Sequence, residues 1–279
     1  MIPKDTVDNI PLRAGVVGLG HVGSRFDEEP ERKSVWSHVG AYLKLSNKFK
    51  LVGVVEVNSK NKKQFTNRCP DVPVFGSVKE LIKMSDPEVV SICTPANNHK
   101  DTLFQLLESR NLKIIWCEKP LSLSYEEACT MVEACEAHNV KMIVSYNRRW
   151  MPLWKRALKV IQSGAIGDMR SIRIAMPNRF NSVGSHAVNL MLMFGGKIKE
   201  LKSIIVPSLE EDGELAISGL INFRSGVTGY LQVTGFKTQL IVEAEIIGDR
   251  GRLTVNENRD CLMIERFNPS KKYGGYNEL

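Results

Sequence analysis

The chain has no CxxC pair. Its six cysteines, Cys69, Cys93, Cys117, Cys129, Cys135 and Cys261, lie far apart, which excludes the ligand spacing of a structural zinc site and a dense disulfide framework. Cys93 and Cys117 fall inside apolar runs and read as buried small hydrophobes, as suits a reducing compartment. No apolar segment of signal-peptide length occupies the first fifteen residues, where Lys4, Asp5 and Asp8 fall, and no later stretch approaches a membrane span. A cytoplasmic protein without a membrane partner is the expectation. Internal repeats and low-complexity segments are also missing. The formal charge is +7, yet Lys and Arg are scattered and form no aromatic-studded stripe, which points away from nucleic acid and towards a phosphate-bearing small ligand.

What is present is core-forming material. With 279 residues, 43% of them hydrophobic, the chain suffices for one large domain or two ordinary ones. From Ala14 to about Val144, short β-branched runs alternate with amphipathic stretches. The runs 14–18, 51–57, 89–93, 112–117 and 140–144 read as strands, and 35–46, 77–84, 98–109 and 124–138 as helices. This is the pattern of a doubly wound parallel sheet. After Asn147 the character changes: a helix over 152–163 and a short apolar one at 190–194 sit among the strand-like runs 169–176, 201–206, 215–223, 227–234, 241–247, 252–255 and 262–267, with turns at 224–226 and 248–251. The expected organisation is a dinucleotide-binding Rossmann domain over 1–147 and an α+β domain with a largely antiparallel sheet over 148–279, its tail from Asn268 frayed.

Chemistry-bearing residues gather where strands end. Gly18, Gly20 and Gly23, with His21 and Val22 between them, form G-x-G-x-x-G directly after the first strand, where backbone N–H groups and a helix N-terminus can meet a pyrophosphate. Glu56 closes the second strand; an acid there accepts from ribose hydroxyls and repels a 2′-phosphate, favouring NAD over NADP, although Lys60, Lys62 and Lys63 could meet a phosphate. It stands well beyond the usual spacing of about 20 residues from the glycines, and the polar stretch Asp27–Ser37 reads as the insertion responsible. Thr94-Pro95-Ala96-Asn97-Asn98-His99 follows the third run, its proline forcing the chain out of the strand and Asn97 or Asn98 offering a helix cap. A further apolar run delivers Glu118-Lys119-Pro120 to the same edge; a lysine in a partly buried cleft near a cationic nicotinamide can trade a proton with a hydroxyl. In the second domain, Ser182 to Asn189, with His186 between them, opens the apolar helix.

Taken together, the glycine fingerprint, the T-P-x-x-x-H stretch ending in His99, the E-K-P triplet, Asn147-Arg148-Arg149 and the histidine helix resemble the Gfo/Idh/MocA oxidoreductases over nearly the whole chain. That resemblance implies an NAD-dependent oxidoreductase moving hydride between the nicotinamide and a secondary hydroxyl or keto carbon of a sugar, sugar derivative or cyclitol. It implies Lys119 and His186 as catalytic residues. It places cofactor contacts at the glycine turn, Glu56, Thr94, Pro95, Asn97, His99, Glu118 and Lys119, and substrate contacts at Lys119, Asn147, Arg148, Ser182, His186 and Asn189. The strands 215–223 and 241–247 are apolar beyond what one covering helix would bury, which points to a homodimer or homotetramer through the second sheet. Family members often carry aspartates where Ser182 and Asn189 stand, which thins the proton relay. Two alternatives stay open: a dinucleotide-binding regulatory protein without catalysis, and an NAD-assisted lyase or glycosidase with no net redox change.

Overall fold

Parallel strands buried on both faces must be apolar along their length, and the buried runs 14–17 and 53–55 obey this. In the computed structural model, which describes residues 10–32, 34–177, 183–206, 216–235 and 238–279, β1 (Leu12–Val17), β2 (Phe49–Val55), β3 (Val74–Phe75), β4 (Val89–Ile92), β5 (Ile114–Cys117) and β6 (Lys141–Val144) form one sheet. Its strand order is β3-β2-β1-β4-β5-β6, and every pairing is parallel. The order reverses between β1 and β4, so a crevice opens beyond their C-terminal ends, the place where doubly wound folds bind nucleotides. Helices α1 (His38–Lys44), α2 (Ser59–Arg68), α3 (Val78–Ser85), α4 (His99–Leu106) and α5 (Tyr125–Ala137) cover the two faces. Val17, Ile92, Ile115 and Leu103 are buried on one side, and Val16, Val54, Tyr42 and Phe65 on the other.

The chain divides into two compact units, Met1–Ser145 and Tyr146–Leu279, two residues before the boundary expected from the sequence. In the first unit the structure adds two elements that the periodicity does not reveal. Strand β3 is two residues long, too short to show a period. Helix α2 has the composition SKNKKQFTNR, with no apolar stripe. It is held at its start by the Asn58 side chain, which accepts from Lys60 and Asn61 N–H, and in its body by one anchor, the fully buried Phe65.

Helix α1 begins later than expected, and the reason lies in the hydrogen bonds. A first turn forms after the glycines, with Ser24 N–H donating to Gly20 O at 3.0 Å and Phe26 N–H to His21 O at 2.9 Å. The next carbonyls, of Val22 and Gly23, accept not from Phe26 and Asp27 but from His38 and Val39, each at 3.0 Å. The helix therefore continues in hydrogen bonding while the twelve residues Phe26–Ser37 loop out of it. Asp27 closes that loop by accepting from Trp36 and Ser37 N–H at 2.7 and 3.1 Å, and Ser37 then caps α1 through Gly40 N–H. Removing twelve residues from the 33 positions between Gly23 and Glu56 leaves 21, the ordinary spacing of about 20.

The second unit holds α6 (Pro152–Gln162), β7 (Met169–Met176), α7 (Ser185–Gly195), β8 (Ile198–Val206), β9 (Ala216–Phe223), β10 (Thr228–Val233), β11 (Glu243–Gly248), β12 (Gly251–Asn256) and β13 (Cys261–Arg266). The seven strands run β13-β12-β11-β7-β10-β9-β8, antiparallel except for the parallel β7–β10 pair. Strict alternation in β11 and β12 turns Ile246 and Leu253 into a core shared with Trp154, Ile172 and Leu190. The open face carries a mixed row, Leu220, Tyr230, Arg173, Glu245 and Thr254, in register across five strands. The apolar side chains of 216–223 and 243–248 thus largely point inward, whereas the sequence suggested that they were surplus to the core; Leu215 lies outside the described residues. The tail is also ordered differently from expectation: β14 (Asn268–Pro269) pairs with β15 (Asn277–Glu278). Among the described residues no helix is long and apolar enough to cross a membrane.

Candidate functional site

The crevice at the sheet's switch point is a cleft of about 580 Å³. Gly18 leaves β1 with φ +93°, a conformation that favours glycine; a Cβ there would lie 2.9 Å from the Cys93 carbonyl. A Cβ on Gly23 would lie 2.0 Å from the Gly18 carbonyl oxygen, so the turn closes on itself only with hydrogen at that position. Gly20 has nothing within 4 Å of where its Cβ would stand, and it lines the cleft beside His21 and Val22. The three glycines thus serve a tight turn, an open approach and close backbone packing, as a pyrophosphate cradle requires.

Glu56 also lines the cleft but is no solvated strand end, being 6% exposed. One carboxylate oxygen accepts from Leu19 N–H at 2.8 Å and Asn61 Nδ2 at 3.2 Å; the other accepts from Val57 and Asn58 N–H, both at 2.8 Å. Four donors fill the roughly four lone-pair sites of a carboxylate. Chelation of ribose hydroxyls, expected from the sequence, would have to compete with these donors, so Glu56 chiefly braces the glycine turn and keeps a fixed negative charge at that end of the cleft.

After β4 the chain turns through Thr94-Pro95 along the cleft wall. Thr94 Oγ1 is buried and has no hydrogen-bond partner among the described residues, an orphan that a ligand's polar group would satisfy. Ala96 and Asn98 face the cleft. Asn97, expected there, is exposed and is not among the lining residues, and neither asparagine caps the helix with its side chain. His99 is 1% exposed; its Nε2 lies 2.8 Å from Thr94 O and its Nδ1 3.1 Å from Leu121 O. It therefore links the Thr94 loop and the Glu118–Leu121 loop.

Glu118 and Lys119 line the cleft at the end of β5, and the Lys119–Pro120 peptide is cis. Burial alone would raise the Glu118 carboxyl, but hydrogen bonds from His38, Ser145 and the Lys119 backbone hold it below the usual carboxylate range. Burial pushes the neighbouring Cys117 thiol up to about 12, so this cysteine stays a neutral packing residue. All six cysteines are free thiols.

In the second unit His186 is buried on α7, with the Tyr146 ring edge-on at a centroid distance of 5.6 Å. Tyr146, Ser185 and Asn189 line a small cavity of about 210 Å³, and Asn189 Oδ1 is buried with no partner among the described residues. Asn147 is exposed. Arg148, expected at substrate, is committed elsewhere: its Nε and Nη2 donate to both oxygens of Glu257 at 2.8–3.1 Å, and Trp154 Nε1 donates to the same carboxylate at 2.6 Å. This clamp fastens the start of α6 to the β12–β13 connection. Ser182 lies outside the described residues.

Residues 12–146 match the model of the Gfo/Idh/MocA oxidoreductases, described as an oxidoreductase family with an NAD-binding Rossmann fold. Through these residues the first unit of the chain matches the Gfo/Idh/MocA family. Myo-inositol 2-dehydrogenase of Thermotoga maritima is 21% identical over 91% of this chain and 78% of its own length. The galactose/lactose metabolism regulatory protein GAL80 of Saccharomyces cerevisiae is 27% identical over 61% of this chain and 39% of its own. In fold, the WlbA dehydrogenase of Chromobacterium violaceum, solved with NADH and UDP-GlcNAcA, superposes with a TM-score of 0.79 at 18% identity, covering 97% of this chain and 82% of that one. NAD is the cofactor of such a domain, and the cleft fits it: an open glycine approach, a buried acid and the unsatisfied Thr94 hydroxyl all line it.

Proposed function

We propose that this chain is an NAD-dependent dehydrogenase acting on a secondary hydroxyl, or the matching ketone, of a sugar, sugar derivative or cyclitol. The observation that carries the proposal is Lys119 on the wall of the glycine-turn cleft, at the catalytic position of the family's E-K-P triplet. The cofactor, when bound, supplies the hydride acceptor or donor. Gly18, Gly20 and Gly23 seat the pyrophosphate, and Thr94 Oγ1 gains a partner. The Lys119 ε-amine exchanges the proton of the reacting hydroxyl oxygen. In the second unit, His186 and Asn189 are the residues that the family resemblance assigns to substrate, and the buried Oδ1 of Asn189, without a partner among the described residues, calls for a donor such as a hydroxyl. Two of the named relatives, the inositol dehydrogenase and the dehydrogenase solved with a nucleotide sugar, support this substrate class. Incubation with NAD and a panel of polyols, sugar acids and nucleotide sugars, followed by absorbance of the reduced cofactor, tests the proposal; substrate-linked reduction is expected, and none across the panel argues against it.

A second reading, a regulatory dinucleotide-binding protein, is favoured by one observation. Asn189 offers a carboxamide where family members often carry an aspartate. NAD binding with a native-state stability shift from a sugar, but no turnover, would support that reading.

Cofactor choice follows from charge at Glu56. A fixed carboxylate 6% exposed repels a 2′-phosphate, and NAD is expected to bind more tightly than NADP by about tenfold or more, on the order of 1.4 kcal/mol. Calorimetry with both cofactors measures this; equal affinities would assign control to Lys60, Lys62 and Lys63. We also propose self-association through the open face of the second sheet, where Leu220 and Tyr230 are 41% and 49% exposed. Light scattering at micromolar concentration is expected to show a closed dimer or tetramer, and a monomer would refute it.

A further inference from the structure

Behind the cleft wall lies a buried polar chain that the proposed chemistry does not use. Tyr42 OH is 2.8 Å from Ser91 Oγ, Ser91 Oγ is 2.9 Å from His38 Nδ1, and His38 Nε2 is 3.0 Å from Glu118 Oε1. Glu118 Oε2 accepts from the Lys119 backbone N–H at 3.2 Å. Tyr42, Ser91 and His38 are all 3% exposed or less, and the His38 ring packs on Trp116 at a centroid distance of 4.1 Å.

One assignment of hydrogens satisfies each link. Tyr42 donates to Ser91, Ser91 donates to Nδ1 of His38, and Nε2–H of His38 donates to Glu118. A neutral imidazole with its proton on Nε2 suffices, and the Glu118 carboxylate, which can only accept, fixes that tautomer. The direction of donation ends on the one carboxylate, whose second oxygen holds the peptide of Lys119. Because Tyr42 is buried, the chain stops in the core at that end and meets the cleft only at Glu118. It cannot carry protons away; it can only orient.

We propose that His38 is a positioning residue for Lys119, acting through Glu118. The groups facing Glu118 are His38 from α1, Ser145 after β6, Lys119 itself, and the thiols of Cys93 and Cys117. Burial raises both thiols, so they are neutral and cannot take over as strong donors. Without the imidazole, Glu118 is left buried with one fewer donor, and it then either turns towards solvent or binds a proton. Both responses alter the carboxylate that holds the Lys119 peptide. The looped-out residues serve the same end, since Asp27 and Ser37 cap α1 and deliver His38 to this place.

The role given to Lys119 rests on the dehydrogenase reading, so the experiment reads the amine directly. Lysines of the protein with NAD bound are acetylated by limiting acetic anhydride at several pH values, and the rate at Lys119 is compared by peptide mass spectrometry with that at Lys155 of α6. In His38→Ala the Lys119 rate is expected to change by about threefold or more relative to Lys155, equivalent to half a pKa unit. His38→Gln, whose carboxamide can donate to Glu118 and accept from Ser91, is expected to restore the wild-type profile. Ser91→Ala, a gentler change that removes the donor to His38 Nδ1 and loosens the ring's orientation, is expected to move the rate in the same direction as His38→Ala, and it serves alone if that variant does not fold. Where turnover is measurable, kcat of His38→Ala falls by roughly 10- to 100-fold with KM nearly constant, the scale of a misplaced catalytic group. Folded variants whose Lys119 profiles superimpose on the wild type would overturn the proposal. Because labelling needs no substrate, its outcome is separable from failure of the dehydrogenase reading.

Discussion

Lys119→Ala is expected to lower turnover by about 10² or more while NAD affinity stays within a few-fold of the parent. The two effects separate because of where the residue sits. The glycine turn and the Thr94 loop lie along the rest of the cleft, and Glu118 is held by His38 and Ser145, contacts that an alanine at 119 leaves in place. Only the ε-amine is lost, and with it the group that exchanges the hydroxyl proton. Steady-state kinetics and calorimetric NAD titration of the same preparation give both numbers. A variant retaining most of its turnover would remove Lys119 from the chemistry; one that loses NAD affinity to the same extent would make it a cofactor residue instead.

Gly23→Ala is expected to produce the largest loss of stability among single methyl additions in the glycine turn, about 3 kcal/mol or more. Its Cβ would stand 2.0 Å from the Gly18 carbonyl oxygen, and the obstacle is backbone, which cannot rotate aside as a side chain can. Gly18 in turn sits between Val55 O, to which its N–H donates at 2.8 Å, and the Cys93 backbone, so displacement spreads to β2 and β4. Gly20→Ala is the internal control: its Cβ would meet nothing within 4 Å, so stability should barely change while NAD affinity falls, because the methyl enters the space of the pyrophosphate. Urea unfolding and cofactor titration of the pair check both expectations. Equal stability losses at the two positions would contradict this division of roles.

How much of the site could be read from the chain depended on the range of the interactions. The glycine turn was legible because its demands are local: a strand end, a positive φ and two positions without a Cβ. The looped-out stretch was legible too, since a polar run between the glycines and Glu56 explained the long spacing. Helix α2 was not, because nine of its ten residues offer no apolar period and it depends on Phe65 finding a pocket. Arg148 looked like a substrate ligand while its partner was unknown; Glu257 lies 109 positions away. Glu56 seemed to await ribose, and only folding showed that Leu19 and Asn61 donate to it. His38 carried no signal beyond being one histidine in a polar stretch.

By itself, the sequence determined the alternation of strand and helix, the two-domain order and the placing of Gly18, Glu56, Thr94 and Lys119 at strand ends, because period, turn chemistry and chain direction are short-range properties. Tertiary structure alone decided which of those groups are already satisfied by the protein and which remain open to a ligand. That choice depends on strand order and register, which bring His38 to Glu118 across 80 positions and Leu19 to Glu56 across 37. Hydrogen bonds of a few ångströms cannot be inferred from patterns that specify only which face a side chain occupies.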